Sequence, residues 1–197
     1  FNITDDSRII AALPTINKLI SDGAKVILMS HLGRPKGIEN KFSLKHIVPH
    51  LSDVLKVDVS FSENCIGEKT ENLTKNMSDG DVLLLENLRF HPEEKKGDVV
   101  FSEQLANLAD VYVNDAFGTA HRLHASTSII ASFFPIEKYF GLLLKNEIDS
   151  LEKSLKNPEK PFTAIIGGAK ISGKIDVITS LLSKVDNLII GGGMAYT

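Results

Sequence analysis

The sequence predicts an α/β fold with a mostly parallel sheet, followed by the start of a second α/β domain. Strand-like and helix-like segments alternate through the first 141 residues, an order typical of parallel sheets with helical crossovers. The run Val82-Leu83-Leu84-Leu85 is apolar throughout, as expected for a parallel strand that helices cover on both faces. A new strand, glycine loop and helix begin after a polar segment with two prolines at 156–161.

The first helix and the first strand are indicated by local signals. The helix is expected to begin at Asp5 or Asp6, either of which can cap it, and to run to about Ser21. Pro14 predicts a kink or an early end within this helix, because proline removes a backbone donor. An apolar run then predicts a strand at 24–30.

The rest of the first domain follows from the same patterns. Apolar residues on one face predict a helix at 43–55, and alternation predicts a strand at 57–61. The further expected elements are a helix around 67–77, a strand at 81–85, a helix at 99–109, a strand at 111–114 and a short apolar run at 128–134. Together these elements predict a three-layer, Rossmann-like domain.

The pattern changes near residue 141. A long amphipathic helix is predicted at 142–155, and the segment Lys156-Asn157-Pro158-Glu159-Lys160-Pro161 marks an element boundary. A strand at 162–166, a helix at 172–183 and a strand at 188–190 follow. The predicted organisation is a first domain at 1–141, a connecting helix and hinge at 142–160, and the truncated start of a second domain at 161–197.

Composition narrows the classes of function. The 197 residues carry a net charge of −3, with 22 Lys and Arg against 25 Asp and Glu, so the broad basic surface of a nucleic-acid binder is not expected. The single cysteine, Cys65, allows no internal disulfide and fits a reducing compartment. All apolar runs are shorter than a membrane span, and no leader peptide is recognisable. We therefore expect a cytoplasmic protein without membrane or nucleic-acid partners.

Three basic segments each follow a predicted strand at its carboxyl end. They are Ser30-His31-Leu32-Gly33-Arg34-Pro35, Glu86-Asn87-Leu88-Arg89-Phe90-His91 and Gly118-Thr119-Ala120-His121-Arg122-Leu123-His124. Ligands bind outside the carboxyl ends of the strands in open parallel sheets, so these loops are expected to converge on one crevice. Because arginine can grip a carboxylate or phosphate with two hydrogen bonds, the crevice suits a small, multiply charged anion.

A glycine-rich segment in the second domain matches half of a phosphate-loop motif. Gly168-Ala169-Lys170-Ile171-Ser172-Gly173-Lys174 has the spacing G-x-x-x-x-G-K, but Ile175 stands where the motif needs serine or threonine for Mg²⁺. Two lysines and the backbone amides at a helix N-terminus still attract phosphate. A tight strand-to-helix turn with solvated lysines fits the same residues equally well.

Other polar residues have simpler interpretations. His121 and His124 have no carboxylate or thiol at a spacing that supports metal binding, so no metal ligands are expected. The run Glu93-Glu94-Lys95-Lys96 is expected to lie on the solvated surface. The recurrence of basic residues at three strand ends favours a binding site over three unrelated polar loops.

Several segments resemble phosphoglycerate kinase, in the same order along the chain. They are Arg8-Ile9-Ile10-Ala11-Ala12-Leu13-Pro14-Thr15-Ile16, Ser30-His31-Leu32-Gly33-Arg34-Pro35, Glu86-Asn87-Leu88-Arg89-Phe90, Asn114-Asp115-Ala116-Phe117-Gly118-Thr119-Ala120-His121-Arg122, Gly167-Gly168-Ala169-Lys170 and Gly191-Gly192-Gly193-Met194-Ala195. The resemblance implies that 1–141 binds 3-phosphoglycerate and that 161–197 begins the nucleotide-binding domain.

The resemblance also implies a reaction and its residues. The glycolytic reaction transfers a phosphoryl group between 1,3-bisphosphoglycerate and ADP, giving 3-phosphoglycerate and ATP, with Mg²⁺ carried on the nucleotide by a monomeric enzyme. Arg8 and Lys170 are the implied catalytic residues. The residues implied to bind 3-phosphoglycerate are Asn2, Arg8, His31, Arg34, Arg89, His121, Arg122 and His124. Those implied to bind the nucleotide are Gly168, Lys170, Lys174, Gly191, Gly192 and Gly193.

This chemistry agrees with what the residues can do. The acceptor carboxylate has a pKa of roughly 3 to 4, so it is already ionised at neutral pH and needs no general base. Catalysis then depends on positioning, on stabilisation of charge by Arg, Lys and the metal, and on domain closure that excludes water.

Two departures from the family pattern bear on activity. Phe1-Asn2 joins Ile3 directly, where the family has a strand and a loop, and most of a nucleotide domain is missing after Thr197. We therefore expect the 197 residues to belong to a longer enzyme and to be inactive alone. The alternatives are a non-catalytic fragment that binds 3-phosphoglycerate, and another nucleotide-binding α/β phosphotransferase, which predicts Ser or Thr at position 175.

Overall fold

The structure is a computed structural model that describes residues 2–156, 158–169 and 171–196. Its strands are arranged in parallel pairs. The chain divides into two compact units, Phe1–Asn146 and Glu147–Thr197. Every strand pair in the described ranges is parallel, and helices alternate with the strands. The predicted α/β fold with a parallel sheet is confirmed.

The first unit contains five strands and most of the helices of the chain. Its strands are β1 (Val26–Leu28), β2 (Val59–Ser62), β3 (Val82–Leu85), β4 (Tyr112–Asn114) and β5 (Lys138–Phe140). Its α-helices are α1 (Ser7–Ser21), α2 (Val48–Leu55), α3 (Glu68–Lys75), α4 (Pro92–Lys96), α5 (Val99–Ala106), α6 (Phe117–Ala120) and the first turns of α7 (Leu142–Lys156). Short 3-10 helices span Asn40–Phe42, Leu44–Ile47, Leu88–Phe90 and Ile129–Phe133.

The middle strand β3 is buried on both faces. It pairs with β1 on one side and β2 on the other, in the order β1-β3-β2, and all four of its residues are buried. Because side chains alternate across a strand, Val82 and Leu84 pack with residues of α1 and α2, whereas Leu83 and Leu85 pack with residues of α5. The result is the three-layer arrangement expected from the apolar run. A second parallel pair is formed by β4 and β5.

Thr15 and Asp115 join distant parts of the first unit through hydrogen bonds. The Thr15 hydroxyl donates to Asp115 Oδ2 at 2.5 Å and accepts the backbone N–H of Leu142 at 2.9 Å. Asp115 Oδ1 accepts the N–H of Leu144 at 2.9 Å. The two side chains thereby satisfy amides in the first turn of α7, which have no partner within the helix.

Two helices differ from their predicted form. The predicted helix at 43–55 begins as the 3-10 turn Leu44–Ile47, and the α-helix starts only at Val48. Pro49 explains the later start, because proline lacks an N–H and is best tolerated in the first helical turn. Helix α1 ends at Ser21, as predicted, but the early end predicted at Pro14 is wrong.

The second unit contains one parallel strand pair and one further helix. Strand β6 (Thr163–Gly167) pairs with β7 (Asn187–Gly191), and helix α8 (Ile175–Leu182) connects them. Helix α8 begins three residues later than the predicted helix at 172–183. None of the helices in the described residues is both long enough and apolar enough to cross a membrane.

Candidate functional site

His31 lies within a group of basic side chains in the first unit. It follows β1, and its ring is only partly exposed. Burial, followed in order of effect by the positive charges of Arg89, Arg8, His124 and Arg122, lowers the pKa of His31 to about 4. A charge must lie nearby to act in this way, so these five side chains share one site. The imidazole of His31 is neutral at pH 7.

Arg89 connects the second basic segment to the first. Its Nη1 donates a hydrogen bond to the carbonyl of Gly33 at 2.7 Å. Burial and the charge of Arg122 lower the pKa of Arg89, Glu94 raises it, and Arg34 adds a smaller lowering. Arg34 therefore also belongs to the group.

All four arginines of the sequence, Arg8, Arg34, Arg89 and Arg122, thus contribute to one site. The loops that carry three of them follow β1, β3 and β4, and Arg8 extends from the first turn of α1. Like charges at this density repel each other unless an anion lies between them. The arrangement can therefore bind a small molecule with several negative charges.

Asn87 is a buried residue that sequence reasoning did not select. Its side chain is fully buried, with 0 % exposure. The amide nitrogen donates to the carbonyls of Leu32 at 2.8 Å and Phe42 at 2.9 Å, and the amide oxygen accepts the N–H of Arg89 at 3.0 Å. Asn87 consequently holds the first two basic loops at a fixed distance from each other.

Glu86 supports the same region from the adjacent position. Its carboxylate accepts the Ser43 hydroxyl at 2.6 Å, the Leu44 N–H at 2.8 Å and the Asn87 N–H at 2.7 Å. These bonds join the end of β3 to the segment that enters α2. Residue type alone indicates neither role, because the partners of Glu86 and Asn87 lie far away in the sequence.

The expectation that residues 93–96 lie on the solvated surface is wrong for Glu94. Its residue is only 3 % exposed. The carboxylate accepts the Ser126 N–H at 3.0 Å and the Ser126 hydroxyl at 2.7 Å, and it lies 3.7 Å from Nδ1 of His124. The Glu-Glu-Lys-Lys pattern is typical of an exposed face, but the fold packs α4 against residues 125 and 126.

His124 belongs to the basic group, because charges of that group act on its ring. Burial lowers the pKa of His124, Glu94 opposes this effect, and Arg122, Arg89 and Lys95 lower the pKa further. His121 is exposed at the end of α6, and Asn2 is exposed near the start of the chain.

The glycines predicted to bind a nucleotide meet at the carboxyl ends of β6 and β7. Gly192 has a left-handed backbone with φ +71°, and a Cβ there would lie 3.0 Å from the carbonyl oxygen of Gly168. The N–H of Met194 donates to the same carbonyl at 2.9 Å. Gly191 ends β7, and Gly193 lies close to Ala169. Only a residue without a side chain fits at Gly192.

Lys174 points back toward the strand end. Its ammonium donates a hydrogen bond to the carbonyl of Gly167, and its backbone N–H donates to Ile171 at 2.8 Å, immediately before α8. The positive charge therefore lies beside the glycine turn. Lys170, the other predicted lysine of this loop, lies outside the described residues.

No metal centre is visible in the part of the chain that the structure describes. Within it, no three His, Cys, Asp or Glu side chains are grouped to hold a metal ion.

A parallel α/β fold with a group of basic side chains at its strand ends and a glycine turn in the next unit is typical of proteins that bind small anions. The family model of phosphoglycerate kinase matches residues 1–197. The chain belongs to the phosphoglycerate kinase family.

Individual relatives agree with this assignment. The chain is 55 % identical over 195 residues to chloroplastic phosphoglycerate kinase 1 of Arabidopsis thaliana, covering 99 % of this chain and 40 % of the relative. It is 56 % identical to cytosolic phosphoglycerate kinase of Triticum aestivum, covering 99 % of this chain and 48 % of the relative. The chain thus spans about half the length of the curated relatives it matches.

A solved structure shares the fold. Phosphoglycerate kinase from Pyrococcus horikoshii matches with a TM-score of 0.85 at 31 % identity, over 99 % of this chain and 50 % of that structure.

Proposed function

We propose that the protein acts as a phosphoglycerate kinase, and that the basic group of the first unit binds 3-phosphoglycerate. The reaction transfers a phosphoryl group between 1,3-bisphosphoglycerate and ADP, giving 3-phosphoglycerate and ATP. One observation carries the proposal: all four arginines of the chain lie with His31 and His124 in one group. A substrate with a phosphate and a carboxylate supplies the negative charge that this group lacks.

The roles of the arginines are assigned on the family resemblance. Arg122 is exposed on the loop after α6, and we assign it, with Arg34, Arg89 and His31, to holding the substrate. Arg8, exposed in the first turn of α1, is assigned to the phosphoryl group in transfer. Asn2 and His121, which are both exposed, are assigned to the substrate on the family resemblance.

The nucleotide is assigned to the second unit. The turn at Gly168 and the glycines Gly191, Gly192 and Gly193 leave backbone accessible to phosphate groups, and Lys174 adds a positive charge beside them. Lys170 is assigned to the transferred phosphate by its place in the same loop. Mg²⁺ accompanies ADP or ATP and neutralises part of the phosphate charge.

The proposed chemistry needs no general base in this chain. A carboxylate acceptor with a pKa of roughly 3 to 4 is ionised at neutral pH and attacks without losing a proton. The basic residues then act by orienting the carboxylate and by stabilising the charge that spreads over the phosphoryl oxygens. The neutral imidazole of His31 fits this assignment, because it can donate one hydrogen bond without adding to the repulsion among the arginines.

The proposed setting is a monomer in the cytosol. Relatives from wheat and tobacco are named as cytosolic, and relatives from Arabidopsis include chloroplastic ones. The oligomeric state is tested by light scattering at several protein concentrations.

Isothermal titration with 3-phosphoglycerate at pH 7 tests the assignment of substrate to the first unit. We expect saturable binding at one site, and Arg122→Ala should weaken it by roughly tenfold or more, because a charge-assisted hydrogen bond contributes about 1.5 to 3 kcal/mol. Lys75→Ala is the matched control, since this lysine is an exposed cation on α3 that pairs with Glu71 at 3.8 Å. ATP in place of 3-phosphoglycerate should bind equally to the wild type and to Arg122→Ala.

Two results would overturn the proposal. One is wild-type protein that does not bind 3-phosphoglycerate. The other is binding that Arg122→Ala and Lys75→Ala weaken to the same degree. A coupled assay of the full-length enzyme, with phosphoryl transfer from ATP to 3-phosphoglycerate as the readout, tests the reaction itself.

A further inference from the structure

Glu94 is a buried carboxylate to which neither the family resemblance nor the proposed reaction assigns a role. It lies in the short helix α4, with 3 % of the residue exposed. Taking a carboxylate out of water costs several kcal/mol unless hydrogen bonds and nearby cations compensate for it. Glu94 has both kinds of compensation, and both come from the basic site.

The side-chain hydrogen bonds of Glu94, and one accepted by its backbone carbonyl, come from residues 125 and 126, directly after the third basic segment. Its carboxylate accepts the Ser126 N–H at 3.0 Å and the Ser126 hydroxyl at 2.7 Å. Its backbone carbonyl accepts the Ala125 N–H at 2.9 Å. Three donors from two consecutive residues therefore end on Glu94. Ala125 and Ser126 are themselves buried, at 0 % and 7 % exposure.

A second contact joins the same helix to the same loop. Gly97 follows α4 with φ +66°, and a Cβ there would collide with the carbonyl oxygen of Leu123. The close approach of helix and loop thus depends on the absence of a side chain at Gly97. The residues just before this anchor in the sequence, His121, Arg122 and Leu123, are exposed.

The charge of Glu94 acts on the cations of the site. Nδ1 of His124 lies 3.7 Å from Oε1 of Glu94. Glu94 raises the pKa values of His124 and Arg89, whereas the neighbouring positive charges lower them. Glu94 is thus a buried carboxylate close enough to Arg89 and His124 to act on both. It reduces their mutual repulsion while the site has no ligand.

We propose that Glu94 is a positioning residue for the 3-phosphoglycerate site: it anchors residues 125 and 126 and thereby fixes where Arg122 and His124 stand. The inference rests on the proposed function, because it concerns the affinity of that site. Glu94 does not touch the substrate. It acts through the loop, so its removal should change the binding of 3-phosphoglycerate and leave the affinity for ADP unchanged.

Three substitutions separate anchoring from charge. Glu94→Ala removes both acceptors, Glu94→Gln keeps one acceptor and can donate to the Ser126 hydroxyl, and Glu93→Ala removes the same charge from the less buried neighbouring residue. We expect Glu94→Ala to raise the Kd for 3-phosphoglycerate by about tenfold or more, since hydrogen bonds to a charged group contribute about 1.5 to 3 kcal/mol. Glu94→Gln should stay within about threefold of the wild type, a factor that corresponds to less than 1 kcal/mol. Glu93→Ala should match the wild type.

Titration calorimetry gives the affinities at a temperature where circular dichroism shows each variant to be folded. Amide hydrogen exchange at Ala125 and Ser126 reports the anchor without any ligand, and it should speed up in Glu94→Ala but not in Glu94→Gln. The NMR titration of His124 should give a lower pKa in Glu94→Gln than in the wild type, because only the negative charge has been lost. A residue that merely stabilised the fold would change the unfolding transition and leave the Kd of the folded protein unaltered.

If Glu94→Ala does not fold, Ser126→Ala replaces it. This variant removes one of the three donors, and it should raise the Kd for 3-phosphoglycerate by about threefold to tenfold, as expected for loss of one hydrogen bond of about 1 kcal/mol. An unchanged Kd in a folded Glu94→Ala, or in Ser126→Ala, would refute the inference and leave the proposed function standing. So would a Kd for Glu94→Gln as weak as that for Glu94→Ala. Wild-type protein that fails to bind 3-phosphoglycerate would refute the proposed function, and the positioning role with it.

Discussion

Replacing Asn87 by alanine should both destabilise the first unit and loosen its basic site. The substitution removes three hydrogen bonds: two from the side-chain amide to the Leu32 and Phe42 carbonyls, and one accepted from the Arg89 N–H. Each contributes about 1 kcal/mol net, and buried groups left without partners add to the loss. We therefore expect the free energy of unfolding to fall by about 3 to 5 kcal/mol, a large share of the 5 to 15 kcal/mol typical of a domain.

Urea unfolding followed by far-ultraviolet circular dichroism measures this loss. Asn87→Asp refines the experiment, because it keeps an acceptor for Arg89 but sets a carboxylate oxygen against two carbonyl oxygens. It should be at least as destabilising as alanine. Asn72→Ala, on the exposed face of α3, is the control and should change the free energy of unfolding by less than about 0.5 kcal/mol.

The Kd for 3-phosphoglycerate should rise in folded Asn87→Ala, since the loop that carries His31 and Arg34 loses the bond at Leu32 that ties it to the segment of Arg89. A loss of stability below about 1 kcal/mol would contradict this reasoning, because it would mean that the three bonds are replaced by water without cost.

His31 and Lys174 give two further predictions. The pKa of His31 is about 4 in the folded protein, against about 6.5 when unfolded, so the unfolded state binds the proton first as the pH falls and stability decreases from pH 6.5 toward pH 4. His31→Asn should remove about 1 to 2 kcal/mol of this decrease in the free energy of unfolding, after allowance for solvent screening of a partly exposed ring. Urea unfolding of both proteins at pH 7 and pH 4.5 tests this. The same pH dependence in both proteins would count against the depressed pKa of His31. Lys174→Ala should raise the Kd for ADP by about tenfold in the full-length enzyme and spare 3-phosphoglycerate, because its ammonium lies beside Gly167 in the second unit. Calorimetric titration with each ligand checks this, and a loss of 3-phosphoglycerate binding with ADP binding intact would reverse the assignment of substrates to units.

Strand positions and the convergence of the basic loops could be predicted because they depend on local patterns. The apolar run at Val82–Leu85 has no polar residue, and such a run is stable only where both faces are covered. The topology of parallel sheets then brings loops at the carboxyl ends together, whatever the rest of the sequence. By contrast, β5 was not predicted: its three residues Lys138–Phe140 are all exposed, so the strand has no alternation of apolar and polar residues.

The supports of the site could not be predicted for a different physical reason. Glu94 stands in a run of charged residues whose pattern is that of a solvated surface, and its partner Ser126 is 32 residues away. Asn87 is separated from Leu32 by 55 residues and from Phe42 by 45. A buried polar side chain is stable only with its partners, and the partners are known only once the fold is known.

The hydrogen bonds of Thr15 limit when the first unit can finish folding during synthesis. The hydroxyl of Thr15 accepts the N–H of Leu142, 127 residues further along the chain. A ribosome adds about 5 to 20 residues per second, so the partner of Thr15 is made roughly 6 to 25 seconds after Thr15 itself. During that interval, the hydrogen bonds from Thr15 in α1 to Asp115 and α7 are incomplete. The first unit therefore cannot reach its final hydrogen bonding before nearly all of it has left the ribosome, and a nascent chain halted before residue 142 should be open to proteases and chaperones.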